Sequence, residues 1–196
     1  RRERPANAEG RLAWLLVASS LPAAVAGALF EKTIDNRLGT PGLIAVSLIV
    51  FGVLLAIADR RAGPRELADY QGDDALKIGA AQVLALNPGT SRSGITMTAA
   101  RFLGLSRDAA ARASFLMAIP VTAGAVAYKL VKLLSDGIPT GLGAPMIVGI
   151  VTAGLSGWAA VWGTLRLIRT RSFMPFVVYR CTLGVVVLVI LAAGWR

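Results

Sequence analysis

The chain has 196 residues, 55% of them hydrophobic and 16% charged, with 21 Lys and Arg against 11 Asp and Glu for a net charge of +10. It has no His and one Cys, which excludes a disulfide scaffold, a Cys/His zinc site and a His-based triad. The apolar content excludes a disordered chain, and the placement of the basic residues decides between a nucleic-acid binder and a membrane protein.

Taken in chain order, residues 12–30 and 41–58 carry no charge. Residues 113–128 are uncharged and are followed by Lys129 and Lys132; residues 144–165 are uncharged; residues 173–195 hold only Arg180. A bilayer-spanning helix needs about 20 apolar residues, so these five segments are predicted to span, the third with its Lys-bearing end included. Apolar runs recur throughout, so none reads as a signal peptide. A sixth apolar region, 78–105, is broken by Asn87-Pro88-Gly89-Thr90-Ser91-Arg92-Ser93-Gly94. Each half is too short to span, and the break cannot face lipid because its backbone would be unsatisfied there. Two half-helices meeting inside the membrane, a re-entrant hairpin, are predicted.

Charge supports this topology. With a cytoplasmic N-terminus and a hairpin that enters and leaves on one side, segments 1–11, 59–77, 101–112 and 166–171 face the cytoplasm and hold fourteen of the 21 basic residues. Only five (Lys32, Arg37, Lys129, Lys132 and Arg196) fall on the other side. A single crossing by 78–105 weakens the split to eleven against eight, so the positive-inside rule favours the hairpin. No Asp or Glu lies inside an apolar run. Ser19, Ala23 and Gly27, and Gly149, Ala153 and Gly157, recur every four residues, a spacing that lets membrane helices approach closely. Pro22 and Pro120 fall mid-helix and are expected to kink their helices.

The chemistry-bearing motif is Pro-Gly-Thr-Ser-Arg-Ser-Gly-Ile-Thr at 88–96. An arginine at membrane depth is costly and points to function. Arg92 presents a planar fork of donors suited to phosphate oxygens. Gly89 and Gly94 free the backbone to turn its N–H groups inward, and a helix N-terminus is an anion site. Ser91, Ser93 and Thr96 are candidate phosphate donors or nucleophiles. The alternative is a polar loop between buried helices with Arg92 snorkelling to the surface. A P-loop is excluded by the missing Gly-Lys-Ser/Thr ending, and a nucleophile elbow by Ser93 where its last Gly belongs.

PGTSRSGIT resembles the second signature motif of the bacterial undecaprenyl-diphosphate phosphatases, the bacitracin-resistance family. The flanks agree: IGAAQVLALNPGTSRSG is similar to the re-entrant helix of the second repeat, SFLMAIPVTAGA to the spanning helix after it, SFMPFVVYR to the start of the last helix, and GRLAWLLVASSLPAAVAGALF to the end of the first half. The resemblance implies an all-α integral membrane fold of about five spanning helices plus a re-entrant hairpin, part of an inverted-repeat fold. In it, 1–58 is the end of the first half with two spans, and 78–196 the second repeat. It implies removal of the terminal phosphate from undecaprenyl diphosphate, recycling the carrier for cell-wall synthesis, in the bacterial inner membrane with the site facing outward. Carried onto this chain, Arg92 binds the diphosphate; Ser91, Ser93 and Thr96 contact it or assist transfer; Gly89, Thr90 and Gly94 shape the pocket; Gln82 is a weaker polar candidate. Expected partners are the polyprenyl diphosphate and membrane lipids, with no nucleic acid; a homodimer is compatible with the fold.

The chain departs from the family in lacking the Glu-rich first motif and its Ser-Ser-Thr-Gly-His run. The simplest reading is a fragment without the first repeat, inactive alone. The Mg²⁺ or Ca²⁺ implied by the resemblance finds no carboxylate near the break, so its ligands are expected outside these residues. Arg180 is expected to snorkel to the cytoplasmic interface, Cys181 to fill space, and Trp14, Trp158, Trp162 and Trp195 to sit at interfaces or in packing. A transporter or flippase of anionic polyprenyl lipids is the second reading; a soluble nucleic-acid binder is disfavoured by five apolar segments.

Overall fold

The computed structural model describes residues 7–37, 39–61, 63–137, 141, 143–170 and 172–194. Arg1, Arg2, Arg4, Arg171, Trp195 and Arg196, used above to read topology or interfaces, lie outside them. Among the described residues the chain is all-helical: α1 Ala8–Arg37, α2 Pro41–Asp59, α3 Gly72–Val83, α4 Arg92–Phe102, α5 Arg107–Asp136, α6 Gly143–Thr170 and α7 Met174–Ala192. Five are long and apolar enough to cross a bilayer: Glu9–Gly27, Pro41–Asp59, Arg107–Asp136, Gly143–Ile168 and Met174–Ala192. Each overlaps one of the five segments predicted from composition, with ends that differ by up to three residues at the first and last, and the protein is an all-α, multi-pass membrane protein.

The remaining helices, α3 and α4, have 12 and 11 residues. At 1.5 Å per residue each is under about 20 Å long, short of the roughly 30 Å hydrocarbon core. They pack on each other, and residues 84–91 join them. The boundaries differ from the sequence reading in two ways. α3 starts at Gly72, because the N–H of Gln71 donates to Asp74 Oδ2 at 2.9 Å and caps the first turn. α4 starts at Arg92, inside the motif, so Arg92, Ser93 and Gly94 form its first turn rather than a loop.

Packing around the hairpin follows small residues. α1 packs on α3 and α5, α2 on α4 and α7, and α4 on α5. A Cβ on Gly79 would lie 2.5 Å from the Ser19 carbonyl, and one on Gly184 would lie 2.7 Å from the Ala45 carbonyl. Both glycines are therefore contact points between backbones. Ser19 and Ala23 are buried, as their spacing predicts. Gly149 and Gly157 are not contact points: nothing lies within 4 Å of a Cβ there, and α6 is exposed throughout 147–162. Helices α1 and α5 continue through Pro22 and Pro120.

A polar clasp joins the ends of four helices. The buried Asp59 carboxylate, closing α2, accepts from Arg107 Nε at 2.5 Å and Nη2 at 3.2 Å, and from the Phe173 N–H at 3.2 Å. Arg101 donates to the Leu105 carbonyl at 2.6 Å and to the Arg61 carbonyl. The start of α7 is thereby fixed to α2, α4 and α5. A second tie, Arg65 to Asp74 at 2.6 and 2.9 Å, binds the α2–α3 connection to the first turn of α3. That bond holds the Arg65 guanidinium above its usual pKa range.

Candidate phosphate-binding site

The first turn of α4 leaves backbone donors unused. Ser91 caps it: its Oγ accepts from the Gly94 N–H at 3.2 Å, and its carbonyl accepts from the Ile95 N–H at 3.0 Å. The N–H groups of Arg92 and Ser93 have no acceptor among the described residues. Two unpartnered amides at a helix start form the positive end of a helix dipole. Ser91 holds φ 67°, ψ 113°, the one non-glycine residue with positive φ among those described. Such a conformation costs on the order of 1–3 kcal/mol and persists only when its surroundings over-determine it.

Those surroundings are visible. Asn87 donates to Ser47 Oγ at 2.7 Å and to Thr90 Oγ1 at 3.2 Å, tethering the loop to α2. Gly89, at φ 88°, passes so close to α2 that a Cβ would lie 2.5 Å from the Ile44 carbonyl oxygen. Arg180 Nη2 donates to the carbonyls of Gly89 at 2.9 Å and Thr90 at 2.7 Å. Arg180 is 7% exposed and lies two turns beyond Phe173. The snorkelling reading of Arg180 is therefore overturned: its side chain turns into the protein, because the loop carbonyls offer it acceptors that lipid cannot.

A cleft of about 370 Å³ opens beside this turn. Ser91, Ser93, Gly94, Thr164, Tyr179 and Arg180 bring polar groups to its lining, and residues such as Leu55, Phe115, Ile168 and Phe176 its apolar wall. The Ser91 and Ser93 hydroxyls lie 3.4 Å apart.

The predicted residues divide by position. Ser91, Ser93 and Gly94 meet at the cleft. Arg92 is half-buried at the same turn and does not line the cleft; its guanidinium has no hydrogen bond or ion pair among the described residues. Gly89 and Thr90 build the loop, with Thr90 fully buried. Thr96 is buried one turn on, its hydroxyl bonded to the Arg92 carbonyl at 2.9 Å and to Ser114 Oγ at 2.7 Å, so it fastens α4 to α5. Gln82 is 2% exposed on α3, its amide nitrogen and oxygen both without a partner, and it does not reach the cleft. Arg180 and Asn87 were not picked out for the site by motif reasoning. The signal for Arg180 was present, as the lone charge in an otherwise apolar run.

A divalent cation does not suit these donors. No Asp or Glu lines the cleft, and among the described residues no three Asp, Glu, Cys or His side chains gather to hold an ion. Hard cations take carboxylate and carbonyl oxygens, whereas hydroxyls beside a guanidinium suit an anion.

Comparison with known proteins identifies the family. The family model described as "Bacitracin resistance protein BacA" matches residues 1–186. Similar curated proteins include the undecaprenyl-diphosphatase of Elusimicrobium minutum, 44% identical over 186 residues, covering 95% of this chain and 70% of that protein. That of Geobacter sulfurreducens is 48% identical over 188 residues, covering 93% and 69%. That of Hahella chejuensis is 45% identical over 184 residues, covering 94% and 69%.

Proposed function

Because this chain belongs to the bacitracin resistance protein family, we propose that its cleft and the first turn of α4 grip the diphosphate in an undecaprenyl-diphosphate phosphatase. The activity is hydrolysis of undecaprenyl diphosphate to undecaprenyl phosphate, which returns the lipid carrier to cell-wall synthesis. One observation carries the assignment of the site. Two open backbone amides, two hydroxyls and a guanidinium meet at a helix start, with no carboxylate beside them. Such a cluster is arranged for an anion with several oxygens.

In the reaction, the amides of Arg92 and Ser93 and the hydroxyls of Ser91 and Ser93 hold phosphate oxygens. Donors fixed before substrate arrives stabilise the charge that builds on those oxygens during transfer, without reorganisation. Arg92 at the same turn adds a charge that no described residue pairs. The apolar wall of the cleft excludes water from the lipid-proximal side. The cleft is lined by no carboxylate, so the 196 residues alone are expected to bind without hydrolysing. The excess of basic residues on the loops beside the hairpin's base supports placement in the bacterial inner membrane, with the hairpin entering from the cytoplasm and the site opening outward.

Photo-crosslinking tests the assignment. An undecaprenyl diphosphate analogue with a diazirine next to the diphosphate should label peptides spanning 88–97 of the chain in nanodiscs. Undecaprenyl diphosphate should compete and undecaprenol should not. Labelling confined to the lipid-facing surface of α6, or equal competition by the alcohol, rules the site out.

A further inference from the structure

We propose that Arg180 is the second cation of the phosphate site and the positioning residue for its loop, an inference that rests on the diphosphate reading above. Its Nη2 ties two successive loop carbonyls, those of Gly89 and Thr90. These are the peptide groups immediately before Ser91, so the bonds fix the planes that lead into its strained φ. Loss of them frees Ser91 to relax, and the amides of Arg92 and Ser93 lose their direction.

The same guanidinium has donors to spare. Its Nη1 lies where a side chain on residue 94 would be, 2.5 Å from the position of a Cβ there. The absence of a side chain at Gly94 is what lets the charge lie on the first turn of α4. Neither Nη1 nor the buried Nε has a hydrogen-bond partner among the described residues, and Arg180 lines the cleft.

Charge balance points the same way. The ion pairs among the described residues, Arg65–Asp74, Lys77–Asp73, Arg107–Asp59 and Arg112–Asp108, leave both Arg92 and Arg180 without a carboxylate. Two uncompensated guanidiniums at one turn inside a membrane are costly. A ligand bringing more than one negative charge offsets that cost; a diphosphate does so better than a monophosphate. Arg180 thus gives the site its preference for the diphosphate substrate over the monophosphate product.

The test is equilibrium binding of farnesyl diphosphate and farnesyl monophosphate to the full 196-residue chain in nanodiscs, for wild type, Arg180→Lys and Arg180→Gln, with helicity checked by circular dichroism. Wild type should bind the diphosphate at least tenfold tighter than the monophosphate. Arg180→Gln should bring that ratio close to one. Arg180→Lys keeps the charge but gathers its donors on one nitrogen in place of a planar fork that reaches the carbonyls and the cleft from separate nitrogens; it should retain a preference while binding the diphosphate several-fold more weakly. If Arg180→Gln does not fold, Arg180→Lys decides. Variants that bind the diphosphate as wild type does, or that lose both ligands in equal proportion, overturn the role of Arg180 and leave the phosphate site standing. Wild type that binds neither ligand overturns the diphosphate reading and this inference together.

Discussion

At residue 94 a hydrogen stands where a methyl group would meet Arg180. Gly94→Ala places a Cβ 2.5 Å from Nη1 and 3.3 Å from the Ser91 side chain. The guanidinium end is flexible and can move, so the fold should survive while the site does not. Farnesyl diphosphate affinity should fall at least tenfold with little change in melting temperature, which titration and thermal melts of the same sample would show. Gly89→Ala is different, because its Cβ meets backbone, the Ile44 carbonyl, and its φ of 88° is left-handed. Stability itself should fall, by about 1–3 kcal/mol, and a denaturant melt in detergent reads it. The motif residues were legible because intramembrane Arg, hydroxyls and Gly in nine positions have few other uses. The role of Arg180 was not, since a charge near a helix end is equally compatible with snorkelling outward. Only the loop carbonyls of Gly89 and Thr90, ninety residues away in sequence, decide the direction.

Among the elements, the hairpin depends on how α7 is anchored. Asp59 holds Arg107 and the Phe173 N–H at the start of α7, and Arg180 follows two turns later. Asp59→Asn removes the charge partner of a partly exposed arginine and weakens the hold on α7. The expected cost is about 1–3 kcal/mol, set between buried and exposed pairs, together with a measurable loss of farnesyl diphosphate affinity. Lys77→Ala breaks the exposed pair with Asp73 and should shift stability by no more than about 0.5 kcal/mol, with binding unchanged. If both variants behave alike, the clasp is not what positions α7. Existence of the half-helices followed from chain length against bilayer thickness. Their starts did not, because capping by Gln71 with Asp74 and by Ser91 depends on backbone conformation rather than on hydrophobic pattern. The motif read as a loop is half helix for that reason.

For the molecule as a whole, composition located the five spans, since apolar length alone separates a membrane helix from a soluble one. Composition is silent on which faces meet. The small-residue spacing of α1 marks a contact, whereas the same spacing in α6 lies on an open face. The cleft supplies donors and no carboxylate, so a phosphate-release assay on the 196-residue chain with farnesyl diphosphate should give no turnover while binding persists. Release that disappears in Arg92→Ala would place the full chemistry within these residues. The central claim is that this turn recognises the diphosphate rather than the lipid. Equilibrium binding of farnesyl diphosphate and of farnesol to the chain in nanodiscs tests it most directly. Saturable binding of the diphosphate, at least tenfold tighter than farnesol and lost in Arg92→Gln, is the predicted result. Equal binding of the two, unaffected by Arg92→Gln, would contradict it.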